Sequence, residues 1–105
     1  MVDVYFFTEM PYAEFDEREA ANYPSMRLTF PNTYFDPHKA NVLFRNYYDQ
    51  YQWAEEVGFD GLMINEHHNT PSCMDVAVNM SAAVLGRMTH RAKILLLGNM
   101  LPTND

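Results

Sequence analysis

The sequence predicts an α/β fold in which parallel strands alternate with helices. Three short apolar segments, at about 2–7, 61–65 and 93–98, are typical of strands buried in a parallel sheet. Two segments with helical spacing, at about 37–57 and 75–89, separate these strands. Strand–helix–strand connections of this kind join parallel strands. The order therefore predicts the first three βα units of a (β/α)8 TIM-type barrel, incomplete in 105 residues, with a small doubly wound sheet as the alternative.

The first strand is predicted over residues 2–7, where β-branched and aromatic side chains form an apolar run. No helical or strand period persists from residue 8 to residue 35, a stretch that three prolines interrupt. A connection of this length is unusual inside a compact domain. We therefore expect a lid or binding loop over 8–35, the alternative being a partly ordered surface loop.

The first long helix has a clear start at Asp36 and Pro37. An aspartate N-cap accepts hydrogen bonds from free N–H groups, and a proline at the first helical position loses no bond. Gly58 stands where a C-terminal cap is expected. These signals predict a helix over 37–57 with one buried face. The apolar positions at helical spacing are Ala40, Leu43, Phe44, Tyr47, Tyr51 and Ala54.

The second helix is expected to begin near Ser72 or Asp75 and to end near residue 89. Its predicted apolar face consists of Ala77, Met80, Val84 and Met88. The third strand follows at 93–98, and a turn is predicted at 102–105. No internal repeat or low-complexity tract is visible, so the chain is treated as a single partial domain over 1–105.

Composition excludes several classes of function. The net charge of −7 disfavours binding to nucleic acid and to anionic membrane surfaces, and no apolar run approaches the ~20 residues that span a bilayer. The single cysteine, Cys73, cannot form an internal disulfide, which fits a cytoplasmic location. Eight methionines and an aromatic content of 14% suit either a plain core or a pocket for a flat, oily ligand.

Ionisable side chains follow the predicted strands at the edge where parallel α/β folds bind ligands. The most informative group is Glu66, His67 and His68, because histidine exchanges protons near neutral pH and a carboxylate can orient it. The alternative is a pair of hydrogen-bonded structural histidines. A metal site is not expected, since no third ligand lies at usable spacing. No glycine-rich phosphate loop is present, which disfavours a nucleotide-binding Rossmann fold.

Two stretches resemble the bacterial luciferase-like, flavin-dependent monooxygenases. The segment 53–68, which reads WAEEVGFDGLMINEHH, is similar to the family's first helix and second strand. The segment 92–103, AKILLLGNMLPT, resembles its third strand and the following turn. Together with their surroundings they cover nearly the whole chain apart from the loop over 8–35. The Glu-His-His triplet is the more specific part of the match.

The resemblance implies a (β/α)8 barrel that uses reduced FMN, or in some branches a deazaflavin, together with O2 to oxidise a small organic substrate. His67 matches the family's acid–base histidine, with Glu66 and His68 as its supporting neighbours. Leu97, Gly98 and Asn99 match the strand end that lines the flavin ring, where the family often has a non-proline cis peptide. Met10 and the long loop are expected to contribute to the substrate pocket or its lid.

The resemblance also implies partners. A flavin reductase would supply the reduced flavin, and a homo- or heterodimer is expected of the full-length protein. Strands four to eight, which complete the barrel and hold the flavin phosphate, have no counterpart in these 105 residues. Because open sheet edges need cover, we expect an N-terminal segment that is inactive alone and is unstable, aggregation-prone or completed by other chains. The alternatives are a non-catalytic flavin-binding relative and a doubly wound module unrelated to flavin.

Overall fold

The computed structural model describes residues 1–99 and confirms a mixed α/β fold with a parallel sheet. Its three strands pair in the order β1-β2-β3. The helices α2 and α3 both pack on β2 and contact each other, so they cover the same face of the sheet. In chain order the elements are β1 (Tyr5–Phe7), α1 (Glu17–Ala20), a 3-10 turn (Asn32–Tyr34), α2 (Pro37–Glu56), β2 (Gly61–Asn65), α3 (Val78–Met88) and β3 (Lys93–Leu97).

The sheet register divides the strand side chains between two faces. Phe6, Leu62 and Ile94 stand in one row across the three strands and pack in the core beneath the helices. The next row alternates to the opposite face, where Phe7 and Leu95 remain 41% and 42% exposed. Within residues 1–99 the core therefore lies between the sheet and the two long helices, and the other face of the sheet is open.

Helix α2 agrees with its prediction. The Asp36 side chain accepts a hydrogen bond from the His38 N–H at 2.8 Å, and Pro37 follows as the first helical residue. After Val57 closes the helix, Gly58 adopts φ +105, a conformation in which a side chain is strained. Of the predicted apolar face, Ala40, Tyr51 and Ala54 are buried, and the other three residues pack against the core clusters.

Two strands are shorter than predicted. Strand β1 begins at Tyr5 and not at residue 2, because its partner strand begins at Gly61 and leaves the earlier residues unpaired in the sheet. Val4 instead donates its N–H to the Asp60 carboxylate at 2.8 Å. Strand β3 ends at Leu97, opposite the last residue of β2, and Gly98 turns the chain away with φ +75. The predicted turn over 102–105 lies outside the described residues.

Helix α3 starts at Val78, three residues later than predicted, and buries a different face. The preceding segment is held away from helical geometry by bonds to other loops: Met74 donates its N–H to the Met10 carbonyl at 3.0 Å. Val78, Ser81 and Leu85 form the buried stripe, whereas Met80, predicted to be buried, is 72% exposed. The predicted apolar face was wrong because both sides of this helix carry apolar residues, and Ser81 is buried through its bond to the Tyr48 hydroxyl.

The loop over 8–35 is not structureless. It contains α1 and the 3-10 turn, and its aromatic side chains pack on one another. Phe30 stacks on Tyr34 with ring centroids 4.9 Å apart, and both rings contact Tyr23 edge-on. Tyr12 belongs to a second core cluster with Ala40 and Met74. None of the helices in the part of the chain described here is long and apolar enough to cross a membrane.

Candidate functional site at the carboxyl edge of the sheet

The sheet brings two of the predicted site segments side by side. Asn65, the last residue of β2, pairs with Leu97, the last residue of β3. The residues that follow, His67 on one strand and Gly98 and Asn99 on the other, therefore leave the same edge of the sheet. The expected cis peptide is wrong: the bonds joining Leu97, Gly98 and Asn99 are trans, and the chain turns through the positive φ of Gly98.

Glu66 connects the end of β2 to the start of α3 and to His68. Its side chain is 5% exposed, and one oxygen accepts the Val78 N–H at 3.0 Å, where helix α3 begins. The other oxygen lies 3.0 Å from His68 Nε2. A carboxylate at a helix N-terminus is stabilised by the free N–H groups there. Glu66 therefore fixes the start of α3 and orients His68 at the same time.

His67 differs from His68 in the hydrogen bonds that it makes. Its backbone N–H donates to the Asp75 carbonyl at 3.0 Å, which ties the end of β2 to the segment before α3. Its side chain is half-buried, and within residues 1–99 its imidazole makes no hydrogen bond. Within residues 1–99, the contact with Glu66 therefore engages one ring nitrogen of His68, whereas neither ring nitrogen of His67 is engaged.

Met10 lies in the main core and not at a pocket. It is fully buried, and it belongs to the cluster that also contains Tyr51 and Leu62. Its backbone has φ +48, which is uncommon for a residue with a side chain. The neighbouring part of the long loop, by contrast, does form a pocket wall.

A cavity of about 570 Å³ opens between the helices and the loops at this end of the molecule. The long loop contributes Tyr12 and residues 30–32, 34 and 35 to its wall, and α2 contributes Phe44 and Tyr48. The rest of the wall is formed by residues 69–71 and 73–77 and by Met80 and Ser81 of α3. The role of the long loop in a substrate pocket or its lid stays a prediction. The wall contains none of the residues predicted as site residues, namely Met10, Glu66, His67, His68, Leu97, Gly98 and Asn99.

Asp75 is the polar residue of the cavity that sequence reasoning missed. The sequence predicts Asp75 only as a possible helix start, whereas in the structure it is 3% exposed and contributes to the cavity wall. One oxygen accepts the Ala77 N–H at 3.1 Å, and Oδ2 is buried without a hydrogen-bond partner among the described residues. The available signal was a single carboxylate within an otherwise apolar run from Cys73 to Val78.

Tyr48, Ser81 and Cys73 in the wall already have hydrogen-bond partners. The Tyr48 hydroxyl lies 3.0 Å from Ser81 Oγ. Burial raises the pKa of Tyr48, and the negative charge of Asp75 acts in the same direction. The Cys73 thiol is buried against Asn65, and burial raises its pKa as well. Cys73 is therefore not an activated thiol.

The described residues contain no group of three or more His, Cys, Asp or Glu side chains arranged to hold a metal ion. Comparison of the chain with protein-family models, with curated proteins and with solved structures finds no match. The site must therefore be interpreted from its own chemistry.

Proposed function

We propose that this chain forms part of the flavin-binding barrel of a luciferase-like monooxygenase, which oxidises a small organic substrate with reduced flavin and O2. The observation that supports the proposal is the pairing of Asn65 with Leu97 at the ends of β2 and β3. The chain segments that carry His67 and Gly98–Asn99 therefore leave the sheet at the same edge, which is the edge where parallel α/β folds bind their ligands. The sequential order of three parallel strands under two contacting helices is compatible with a barrel.

The residues after β3 suit a flat ring. Gly98 has no side chain, and a Cβ placed there would meet no atom of residues 1–99 within 4 Å, so these residues leave the space above its backbone open. Leu97, Gly98 and Asn99 would be the residues that hold the flavin ring. Reduced FMN supplies the electrons that activate O2, and a deazaflavin is the alternative cofactor.

His67 would hold or move a proton at an imidazole nitrogen near the ring. Its position depends on its neighbours, because Glu66 is fixed to Val78 and His68, and the His67 backbone is fixed to Asp75. The proposal implies a cytoplasmic protein that receives reduced flavin from a reductase and acts as a dimer.

Flavin binding is tested by titrating the 15N-labelled protein with FMN and following the amide resonances. We expect the largest shifts at His67, Gly98 and Asn99. Gly98→Ala should weaken binding, because it adds a side chain in the left-handed region beside the ring. Gly86→Ala is the matched control, since a Cβ at Gly86 meets only the Ile94 side chain at an ordinary 3.8 Å. Equal affinity of the two variants, or shifts confined to other residues, contradicts the proposed ring site.

Catalysis is tested in the protein that carries this chain, with NADH, FMN, a flavin reductase and a set of aldehydes, alkanes and alkanesulfonates. Substrate-dependent oxygen consumption is expected, and His67→Ala should lower it by about a hundredfold or more while flavin binding persists. His68→Ala is the adjacent control and should lower it less. Flavin binding without substrate-dependent oxygen consumption would instead identify a non-catalytic flavin-binding barrel.

A further inference from the structure

The cavity between the helices and the loops is a second candidate site. It shares no residue with the proposed flavin contacts, so a ligand could bind there whether or not flavin is bound. Its volume of about 570 Å³ lies within the range of roughly 300–1,000 Å³ that is typical of small-molecule pockets.

The wall of the cavity is suited to the apolar body of a ligand. Tyr12, Phe35 and Phe44 supply aromatic surface, and Met74 and Met80 supply flexible thioether side chains. Phe35 and Met80 are exposed, so they do not stabilise the core as buried residues do. Exposed apolar side chains around an open cavity are typical of a binding surface.

Asp75 determines which polar group the ligand should carry. Among the described residues that form the wall, Asp75 is the one with a charged side chain, and no lysine, arginine or histidine accompanies it. A buried carboxylate oxygen without a donor is unfavourable, and a donor that also carries positive charge relieves this cost most. Oδ2 is such an oxygen.

The aromatic side chains favour the same charge. The faces of tyrosine and phenylalanine rings attract organic cations, and the attraction is stronger where water is excluded. The hydroxyls of Tyr48 and Ser81 share one hydrogen bond, and neither carries the negative charge that attracts an ammonium group. An anionic ligand would be repelled by Asp75 and would find no compensating cation in this wall.

We propose that the cavity binds a primary ammonium compound with an aromatic or branched aliphatic body. The ammonium group binds at Asp75, and the apolar body lies against Phe44, Phe35 and Met80.

The test uses three probes of nearly equal shape: phenethylammonium, 2-phenylethanol and 3-phenylpropionate. Their affinities for the unmodified protein are measured by NMR titration at neutral pH. We expect phenethylammonium to bind about tenfold more tightly than the alcohol, since hydrogen bonds to charged groups exceed neutral ones, and the carboxylate to bind least. Equal binding of the ammonium and the alcohol would overturn the proposal.

Asp75→Asn should remove the preference for the ammonium, because it keeps an acceptor for the Ala77 N–H and deletes the charge. Asp49→Asn, an exposed change on α2, is the matched control and should keep the preference. Met80→Ala should weaken the ammonium and the alcohol alike, which locates the apolar body in this cavity. If Asp75→Asn does not fold, the comparison of the three probes on the unmodified protein and on Met80→Ala still decides the outcome. Met80 is exposed, so its replacement by alanine should leave the fold intact. A folded Asp75→Asn protein that retains the preference refutes the role of Asp75.

Discussion

Two side chains of helix α2, one turn apart, secure opposite edges of the sheet in different ways. Glu55 accepts hydrogen bonds from three consecutive backbone N–H groups at the start of β3, those of His90, Arg91 and Ala92, at 2.6–3.1 Å. Tyr51 is fully buried, and its hydroxyl donates to the Met63 carbonyl at 2.7 Å. It also accepts the Thr8 N–H at 3.4 Å. Tyr51 lies one turn closer to the N-terminus of α2 than Glu55 does. It therefore reaches the residue after β1 and the middle of β2, whereas Glu55 reaches the residues just before β3.

The two edges of the sheet differ in backbone strain and in how many of their polar groups have hydrogen-bond partners. At the amino edge the left-handed backbone conformation occurs at a glycine, Gly58, which adopts it without strain. The Arg91 guanidinium there donates hydrogen bonds to the Glu55 and Phe59 carbonyls. At the carboxyl edge Met10 and Asn69 adopt left-handed φ values although they carry side chains. Oδ2 of Asp75, which has no hydrogen-bond partner among residues 1–99, lies at the same edge. Strained backbone and unpartnered polar groups collect at functional sites, so the carboxyl edge is the end at which binding is expected.

The largest effect is expected at Tyr51. Tyr51→Ala should lower the free energy of unfolding by about 3–5 kcal/mol, because it leaves a large cavity and two backbone groups without their partner. Tyr51→Phe keeps the ring contact with Phe6 and should cost about 1–3 kcal/mol. Urea unfolding followed by circular dichroism measures both. Trp53→Ala, an exposed change on the same helix, is the control, and a comparable loss there would contradict the special role of Tyr51.

Two isosteric changes should act in opposite directions. Asp75→Asn removes an uncompensated buried charge and should raise the free energy of unfolding by about 1 kcal/mol. Glu55→Gln removes the charge that three N–H groups share and should lower it by about 1 kcal/mol or less, because water reaches this edge. The same urea experiment compares them. A loss of stability in both variants would mean that the Asp75 carboxylate is compensated after all.

Glu55 should also make stability depend on pH. The N–H groups of Ala92 and Arg91 are the main cause that lowers the pKa of Glu55. A carboxylate with a lowered pKa contributes stability above its unfolded pKa, and this contribution is lost as the pH falls through the folded pKa. The difference in the free energy of unfolding between the unmodified protein and Glu55→Gln should therefore be present at neutral pH. It should shrink as the pH falls below the usual pKa of a glutamate side chain. A difference that stays constant in acid would contradict this account.

The smallest effect is expected at Asn69. This exposed residue has φ +55, which glycine adopts without strain. Asn69→Gly should change the free energy of unfolding by only a few tenths of a kcal/mol, whereas Asn69→Ala should lower it by about 1 kcal/mol. Thermal unfolding of the two variants measures the difference. Equal stability of the glycine and alanine variants would show that the carboxyl edge relaxes at this position.

The sequence predicted the elements whose signals are local. The Asp36–Pro37 start and the apolar run of β2 depend on neighbours within a few residues, and both agree with the structure. The start of α3 was misplaced because its first N–H bonds to Glu66, twelve residues earlier in the chain. No local pattern contains such a contact. The β1 boundary was misplaced for a related reason, since pairing with Gly61 decides where that strand begins.

The sequence predicted one part of the candidate site, the strand ends, but not the cavity that contains Asp75. The strand ends carrying His67, Gly98 and Asn99 follow from topology alone, and the sheet register sets them at one edge. The Asp75 cavity could not be predicted, because it depends on how the long loop folds against α2 and α3. Phe30 and Tyr34 organise that loop through ring contacts that have no sequence period. Aromatic content indicated a pocket in general terms but could not locate it.

The bonds between the two loops at the carboxyl edge restrict how this chain can change over evolution. Tyr12 donates its N–H to the Pro71 carbonyl at 2.7 Å, and Met74 and His67 donate theirs to Met10 and Asp75. These bonds use backbone atoms, so most side-chain replacements at positions 12, 67 and 74 leave them intact. Proline at any of the three deletes a donor. An insertion or deletion between them shifts every partner, so this edge should tolerate changes of residue far better than changes of length.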